Sequence, residues 1–284
     1  MSIRLILNKI FGVKNIFRLR YFRQRLRWPD LDNPKDYSEI LISQLLSDEF
    51  LKYAEFTDKI KVRDYVTAKG LGHILLEHYG HYESFDEIDP DLLPDKFVLK
   101  SNRGSSAKDV CICNDKNTFD WKKARRKIEK GMRHQYEYEP HYNIIEPRII
   151  CEELVDCGEG KLPNDYKFLC VHGKIAYIVI CWERETGNPT YTTVDVDWNV
   201  LPYMRSKHIS KTVAPKPALF GQMAEVAEIL AADFEMVRVD LYEYKGQVRF
   251  GELTFSPDGG ILYSHTDQEL EEIGELIRNG RKPE

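Results

Sequence analysis

Val237-Arg-Val-Asp-Leu-Tyr-Glu-Tyr-Lys-Gly-Gln-Val-Arg-Phe-Gly-Glu-Leu-Thr-Phe-Ser-Pro-Asp-Gly-Gly260 decides how the rest of the chain is read. Two runs rich in β-branched and aromatic residues flank Lys245-Gly246-Gln247, the pattern of a hairpin with a short glycine-containing turn. A three-residue loop sets Asp240 directly across from Glu252. Directly opposed residues share one face of a sheet, with Cβ atoms roughly 4.5–5.5 Å apart. Two carboxylates that close repel unless a cation lies between them. A hard ion such as Mg²⁺ takes oxygen ligands of this kind together with substrate phosphates. A solvated hairpin with incidental acids fits the same letters, and a two-residue turn would offset the pair.

Outward from the hairpin, size and composition set limits. A chain of 284 residues can bury a substantial core in one large or two modest domains. Its net charge of -5 argues against general nucleic-acid binding. Six cysteines lack CxxC spacing and most lie among apolar neighbours, as free thiols in a reducing compartment do. No apolar run approaches the roughly 18–20 residues of a membrane span. A cytoplasmic protein is expected.

Residues 1–29 hold eight Lys or Arg and no acid. Apolar side chains recur among them at helical intervals. Such a basic amphipathic helix can lie on an anionic membrane surface, where a lipid-linked glycan would be met, or cover an acidic face of its own protein. Residues 36–90 read as largely helical, over Tyr37 to Tyr53 and Asp58 to Lys69, with a proline-bounded acidic linker after them. From Lys96 the pattern turns to mixed α and β. Phe97–Lys100 and Val110–Cys113 are strands around a small-residue loop containing Gly104, Ser105 and Ser106. Pro147–Val155 is a third strand, and residues 165–171 and 174–182 form a hairpin turning at His172-Gly173. Leu219–Ala232 and Asp267–Arg278 are helices.

Several phrases in this order resemble the ATP-grasp superfamily, in particular its TupA-like branch, named for teichuronopeptide biosynthesis. They are Asp58-Lys59 with Val62-Arg63, Leu93-Pro-Asp-Lys-Phe-Val-Leu-Lys100, Pro147-Arg-Ile-Ile with Glu152-Glu153, Asp165-Tyr-Lys-Phe, and Val237-Arg-Val-Asp-Leu with Gly251-Glu-Leu-Thr-Phe-Ser-Pro. The resemblance implies an α+β fold in which two lobes clamp a nucleotide, behind a mainly helical N-terminal region. The expected divisions are 1–92 for that region, 93–153 for the small lobe and 154–284 for the large lobe with its metal site.

The same resemblance implies roles. Lys100 would meet the α- and β-phosphates of ATP, and Gly104, Ser105 and Ser106 would form the flap over them. Glu152, Glu153, Leu154 and Val155 would be the interlobe hinge beside adenine and ribose, with Asp165 as a second candidate for the ribose. Lys167 and Arg184 would face the γ-phosphate and the carboxylate being activated. Asp240 and Glu252 would hold Mg²⁺, with Thr254 where many relatives carry asparagine. The implied reaction joins a carboxylate to an amine through an acyl phosphate, the acid being a sugar uronate of a bacterial surface polysaccharide. A sugar kinase and a non-catalytic nucleotide-binding component of a polysaccharide assembly complex are the alternatives.

Overall fold

Antiparallel pairing organises the computed structural model into two sheets joined by the segment after Glu152. The structure describes residues 12–104, 109–158, 162–183, 189–205 and 213–280. In chain order the strands are β1 (His78–Tyr82), β2 (Phe97–Ser101), β3 (Cys111–Cys113), β4 (Ile149–Glu152), β5 (Asp165–Val171), β6 (Lys174–Trp182), β7 (Thr190–Val194), β8 (Met236–Tyr244) and β9 (Gln247–Thr254). The helices are α1 (Val13–Arg25), α2 (Tyr37–Leu45), α3 (Ala54–Thr57), α4 (Val62–Ala68), α5 (Trp121–Met132), α6 (Phe220–Ala231) and α7 (Asp267–Asn279). The smaller sheet runs β1-β4-β2-β3 and the larger β7-β6-β5-β8-β9.

Strand alternation sorts the side chains of each sheet into two faces. In the small sheet Phe97, Leu99, Ile149 and Cys151 turn one way and pack with Ala124 and Ile128 of α5. Lys100 and Glu152 fall on the other face. In the large sheet Phe168, Ile178, Val239 and Phe250 form the main core with α6 and with Phe17, Tyr21, Phe50 and Val66 from the N-terminal region. The reverse face is divided. Leu169, Val171, Tyr177 and Met236 are covered by Tyr37 and Leu41 of α2 and Leu270 and Ile273 of α7, whereas Lys167, Asp240, Glu252 and Thr254 occupy the uncovered end.

Local chemistry fixes the covering helices. Asp36 accepts from the Glu39 amide while Glu39 reaches back to the Asp36 amide, a capping box that starts α2. Thr266 caps α7 and Asp120 caps α5. The helix expected over Tyr37–Tyr53 breaks after Leu45 and continues as a 3₁₀ segment at Asp48–Tyr53, capped by Ser47. His78–Tyr82, within the stretch read as largely helical, is instead an edge strand paired with β4. The small sheet therefore begins before residue 93, and His78 and His81 meet ring to ring at 3.3 Å. Of the six cysteines, five are buried and Cys157 is exposed, all as free thiols.

Helix α1 lies against its own protein through Phe17, Tyr21 and Arg25, all buried. Arg25 donates to the carbonyls of Leu262 and His265 and to Asp267. Tyr21 hydroxyl donates to Asp36, and Arg27 pairs with Asp36 and Glu39. Among the described residues no helix is long and apolar enough to cross a membrane.

The β8–β9 hairpin reaches its register by a route the sequence reading did not foresee. Its loop is two residues, Lys245 (φ 50°) and Gly246 (φ 68°), pairing Tyr244 with Gln247. Two left-handed central residues make the turn that suits hairpin twist. A bulge at Gly251 then restores Asp240 opposite Glu252. A Cβ on Gly251 would lie 2.8 Å from the Asp240 carbonyl oxygen. Gly251→Ala is therefore expected to lower stability by about 1–3 kcal/mol, read from the urea midpoint, and to disturb the acid pair. An alanine variant as stable as wild type would show that the bulge relaxes freely.

Candidate active site

Strands β5, β8 and β9 bring the acids together. Lys167 pairs across the ladder with Asp240, and Asp240 with Glu252. Arg238 and Thr254 are likewise opposed, one strand period away on the same face. Asp240 is 3% exposed. Its Oδ1 accepts from Arg238 Nε at 2.6 Å, and its Oδ2 accepts from the same guanidinium at 2.7 Å and from Lys167 Nζ at 2.5 Å. The arginine also reaches Glu252 Oε1 at 3.3 Å and Thr254 Oγ1 at 3.1 Å. Thr254 in turn donates to Glu252 Oε1 at 3.0 Å. Asp165 completes the group, its Oδ2 lying 2.6 Å from Lys167 Nζ.

Buried charges survive only when paired and hydrogen-bonded. Burial pushes the Asp240 carboxyl upward, but Arg238 and Lys167 outweigh it and hold the group below its ordinary value. The same attraction overrides burial at Lys167, where Asp165 and Asp240 hold the ammonium above the lysine range, and at Arg238, where Asp240 does so.

The second cluster sits where the small sheet faces the large one. Lys100, at the end of β2, pairs with Glu152 at the end of β4. Both line a cleft with Lys59, Arg63, Gly251 and Glu252. Lys59 Nζ lies 3.9 Å from Glu252 Oε2 and donates to the Gly104 carbonyl at 2.6 Å. Burial drives the Lys59 ammonium below the usual lysine range, against the pull of Glu252. Past Glu152 the chain turns outward: Glu153 donates its amide to the Glu77 carbonyl and its carboxylate lies 3.7 Å from Lys245 Nζ. Leu154 is buried and Val155 half-buried.

A larger cavity of about 580 Å³ opens on the same face of the large sheet, with Lys167 and Arg238 in its lining. Tyr37, Tyr177, Tyr191 and Asp258 line it, with His265, whose Nδ1 meets Glu269 Oε2 at 2.5 Å.

The expected residues thus fall into two groups. Asp165, Lys167, Asp240, Glu252 and Thr254 converge on one face, while Lys100, Gly104 and Glu152 gather at the cleft, which Glu252 touches from the other side. Glu153, Leu154 and Val155 lie on the strand-to-strand connection beyond it. Ser105, Ser106 and Arg184 lie outside the described residues. Arg238 was overlooked as a site residue although period-two alternation with Asp240 places it on the same face. Lys59 and Arg63 come from the helical region; their phrase carries part of the resemblance, but no role was assigned to either.

Oxygen donors suited to Mg²⁺ are present: two opposed carboxylates and a hydroxyl. About four lone-pair positions on a carboxylate leave Asp240 room beyond its three donors.

A carboxyl whose folded pKa lies below its unfolded one adds stability above the unfolded value, and loses it as pH falls through the folded one. Asp240→Asn should then cost about 1.5–3 kcal/mol at neutral pH by weakening the charged hydrogen bonds of two buried cations, leaving Lys167 to Asp165 and Arg238 to Glu252. Chemical denaturation across pH should show that gap narrowing below the ordinary value of 3.8. A gap of constant size down to strong acid would contradict the pairing.

A family model described as TupA-like ATPgrasp matches residues 39–278. No curated protein matches the sequence. Among solved structures, the D-alanine–D-alanine ligase of Helicobacter pylori is similar over 80% of this chain and 61% of its own, at 13% identity and a TM-score of 0.45. The D-alanine–D-alanine ligase of Bacillus anthracis complexed with ATP aligns over 81% of this chain and 68% of its own, at 13% identity and a TM-score of 0.42. For the D-cycloserine synthetase DcsG the coverage is 81% and 78%, with 14% identity and a TM-score of 0.44. The chain therefore spans 61% of the length of the Helicobacter pylori ligase.

Proposed function

The chain belongs to the TupA-like ATP-grasp family, and on that premise we propose that it is an ATP-dependent carboxylate–amine ligase. The observation that supports this reading is the meeting of Lys100 and Lys59 from one side of a cleft with Glu252 from the other. Triphosphate needs cations, and its metal needs carboxylates; the cleft presents both.

ATP is the first substrate. Lys100 would neutralise phosphate charge as a point cation. Asp240, Glu252 and Thr254 would hold Mg²⁺, which supplies Lewis acidity and a template for the phosphates. The acid substrate attacks the γ-phosphorus through a carboxylate oxygen, giving an acyl phosphate and ADP. An amine then attacks the acyl carbon, phosphate leaves, and the amine gives up a proton as the amide forms. Lys167 and Arg238, in the lining of the large cavity, would hold the acid in line and offset charge on the transferring group. No protein nucleophile is needed.

The cavity also supports a substrate class. Cations in its lining suit a carboxylate, and tyrosine walls suit a sugar ring. A uronate of a bacterial capsule, O-antigen or cell-wall polysaccharide combines the two, with an amino acid or simple amine as its partner. The basic helix α1 keeps Arg18 and Arg23 exposed on its outer side, which suits work near lipid-linked glycans at the inner membrane face.

Because Asp240 is already neutralised by Arg238 and Lys167, Mg²⁺ alone should raise the melting temperature little. Mg-ATP at about 100 times its Kd should add roughly 2.7 kcal/mol, and Glu252→Ala should abolish most of that gain. Differential scanning fluorimetry reads all three. No shift with Mg-ATP in the wild type would end the proposal, and an equal shift in Glu252→Ala would end the site assignment.

A further inference from the structure

We propose that His265 is the general base of the amine step, taking a proton from the incoming ammonium in the large cavity, with Glu269 as its positioning residue. The inference rests on the ligase reading given above and names the group that readies its second substrate.

An amine reaches the enzyme at neutral pH mostly as its ammonium, which has no lone pair to attack with. Some group must remove that proton beside the acyl phosphate. Lys167 and Arg238 are held as cations and cannot. His265 lines the same cavity as they do, and its two ring nitrogens are committed differently. Nδ1 meets Glu269 Oε2 at 2.5 Å. The tautomer this bond selects carries its proton on Nδ1 and leaves a lone pair on Nε2. Nε2 has no hydrogen-bond partner among the described residues, and the side chain keeps 12% of its surface exposed.

The support behind the ring is rigid. Glu269 is fully buried, and its other oxygen accepts from the Tyr177 hydroxyl. The His265 carbonyl accepts from Arg25 Nη1 at 2.9 Å and Arg205 Nε at 3.1 Å, and its amide donates to the Leu262 carbonyl at 3.2 Å. A base so held has little freedom left to lose when the amine arrives.

A second observation marks this stretch of wall as built for a ligand. Tyr37, in the cavity lining, is 1% exposed, and its hydroxyl has no hydrogen-bond partner among the described residues. A buried hydroxyl left unpaired costs about 1–3 kcal/mol, which a polar ligand in the cavity would recover. Burial and the Glu269 charge push that hydroxyl above the tyrosine range, and Arg238 pulls against them. The cation assigned to the acid and the partner of His265 thus both lie within electrostatic reach of one side chain.

The surrounding charges suit a base. Burial pulls the His265 imidazole down, Glu269 on α7 and Asp258 after β9 pull it up, and Arg25 on α1 opposes them. The balance lies above the ordinary histidine value. Tyr177 on β6, Tyr37 on α2 and Arg205 complete the titratable and charged groups around it. A base stronger than free imidazole is better matched to an ammonium. In the step, the ammonium passes one proton to Nε2 and the freed lone pair forms the C–N bond. The acyl C–O bond breaks with its electron pair on phosphate, which takes the second nitrogen proton, and the imidazolium returns its own to solvent.

The test follows ATP-dependent coupling of glucuronate by full-length wild type and His265→Asn, with glycine or hydroxylamine as nucleophile. Hydroxylamine is already neutral at neutral pH and needs no base. His265→Asn should lower the ratio of glycine to hydroxylamine turnover about a hundredfold or more. Its glycine rate should keep rising with pH where the wild-type rate levels off. An unchanged ratio overturns the inference and leaves the ligase reading intact. So does a wild type that makes the hydroxamate yet couples none of glycine, alanine and ammonia. A wild type that makes no hydroxamate from glucuronate or galacturonate removes the uronate ligase reading and this inference together. Should His265→Asn not fold, Glu269→Gln takes its place; if neither folds, the pair is structural and the inference falls.

Discussion

A carboxylate buried among three strands constrains everything around it. Asp240 lies at the centre of the large sheet's charged face, where desolvation of a bare carboxylate costs several kcal/mol. It persists as an ion because Arg238 grips both oxygens and Lys167 closes on one of them. That arrangement needs Arg238 two positions away on the same strand and Lys167 across the ladder. Register is therefore not adjustable: a slip of one residue would send Asp240 into the apolar core with Phe168 and Val239. The two-residue turn and the bulge at Gly251 are the local devices that keep it.

The same face changes character along its length. Toward α2 and α7 it is apolar, and toward the cleft it is charged. Apolar packing and charge are thus separated along single strands: Leu169 packs two residues from Lys167, and Met236 two residues from Arg238. The small sheet repeats the scheme, with Phe97 and Leu99 packed on α5 and Lys100 turned to the cleft. At the cleft Lys59, Lys100, Glu152 and Glu252 meet within a surround of Phe56, Val62, Leu75 and Leu76.

Much of this was legible in the sequence, and the reasons for success and failure differ by residue. The hairpins were visible because period two and turn residues act locally. The opposition of Asp240 and Glu252 was anticipated on an incorrect turn length. The turn is one residue shorter, and the bulge supplies the compensation that no local rule announces. His78–Tyr82 was misread because its glycine and histidines carry little strand propensity; pairing with β4 decides it. Arg238 was visible but uncounted, since attention to like charges passed over the cation that relieves them. Lys59 could not be located, because its place depends on Asn102 and on the approach of Glu252, far away in the chain.

The basic N-terminal segment shows what packing does with closely spaced charge. Repulsion among closely spaced arginines disfavours an isolated helix, so their charges must find counterparts in protein, lipid or solvent. For α1 the protein answers for one side. Arg25, with a side chain 1% exposed, satisfies two carbonyls and a carboxylate around the start of α7, and Arg20 holds the Tyr263 hydroxyl. These contacts fix the Leu262–Asp267 segment, which carries Leu262 and His265 into the wall of the large cavity. The arginines on this side thus brace the wall of the 580 Å³ cavity from behind. The positive charge that reads as a surface feature in the sequence is, on the packed face, an internal brace.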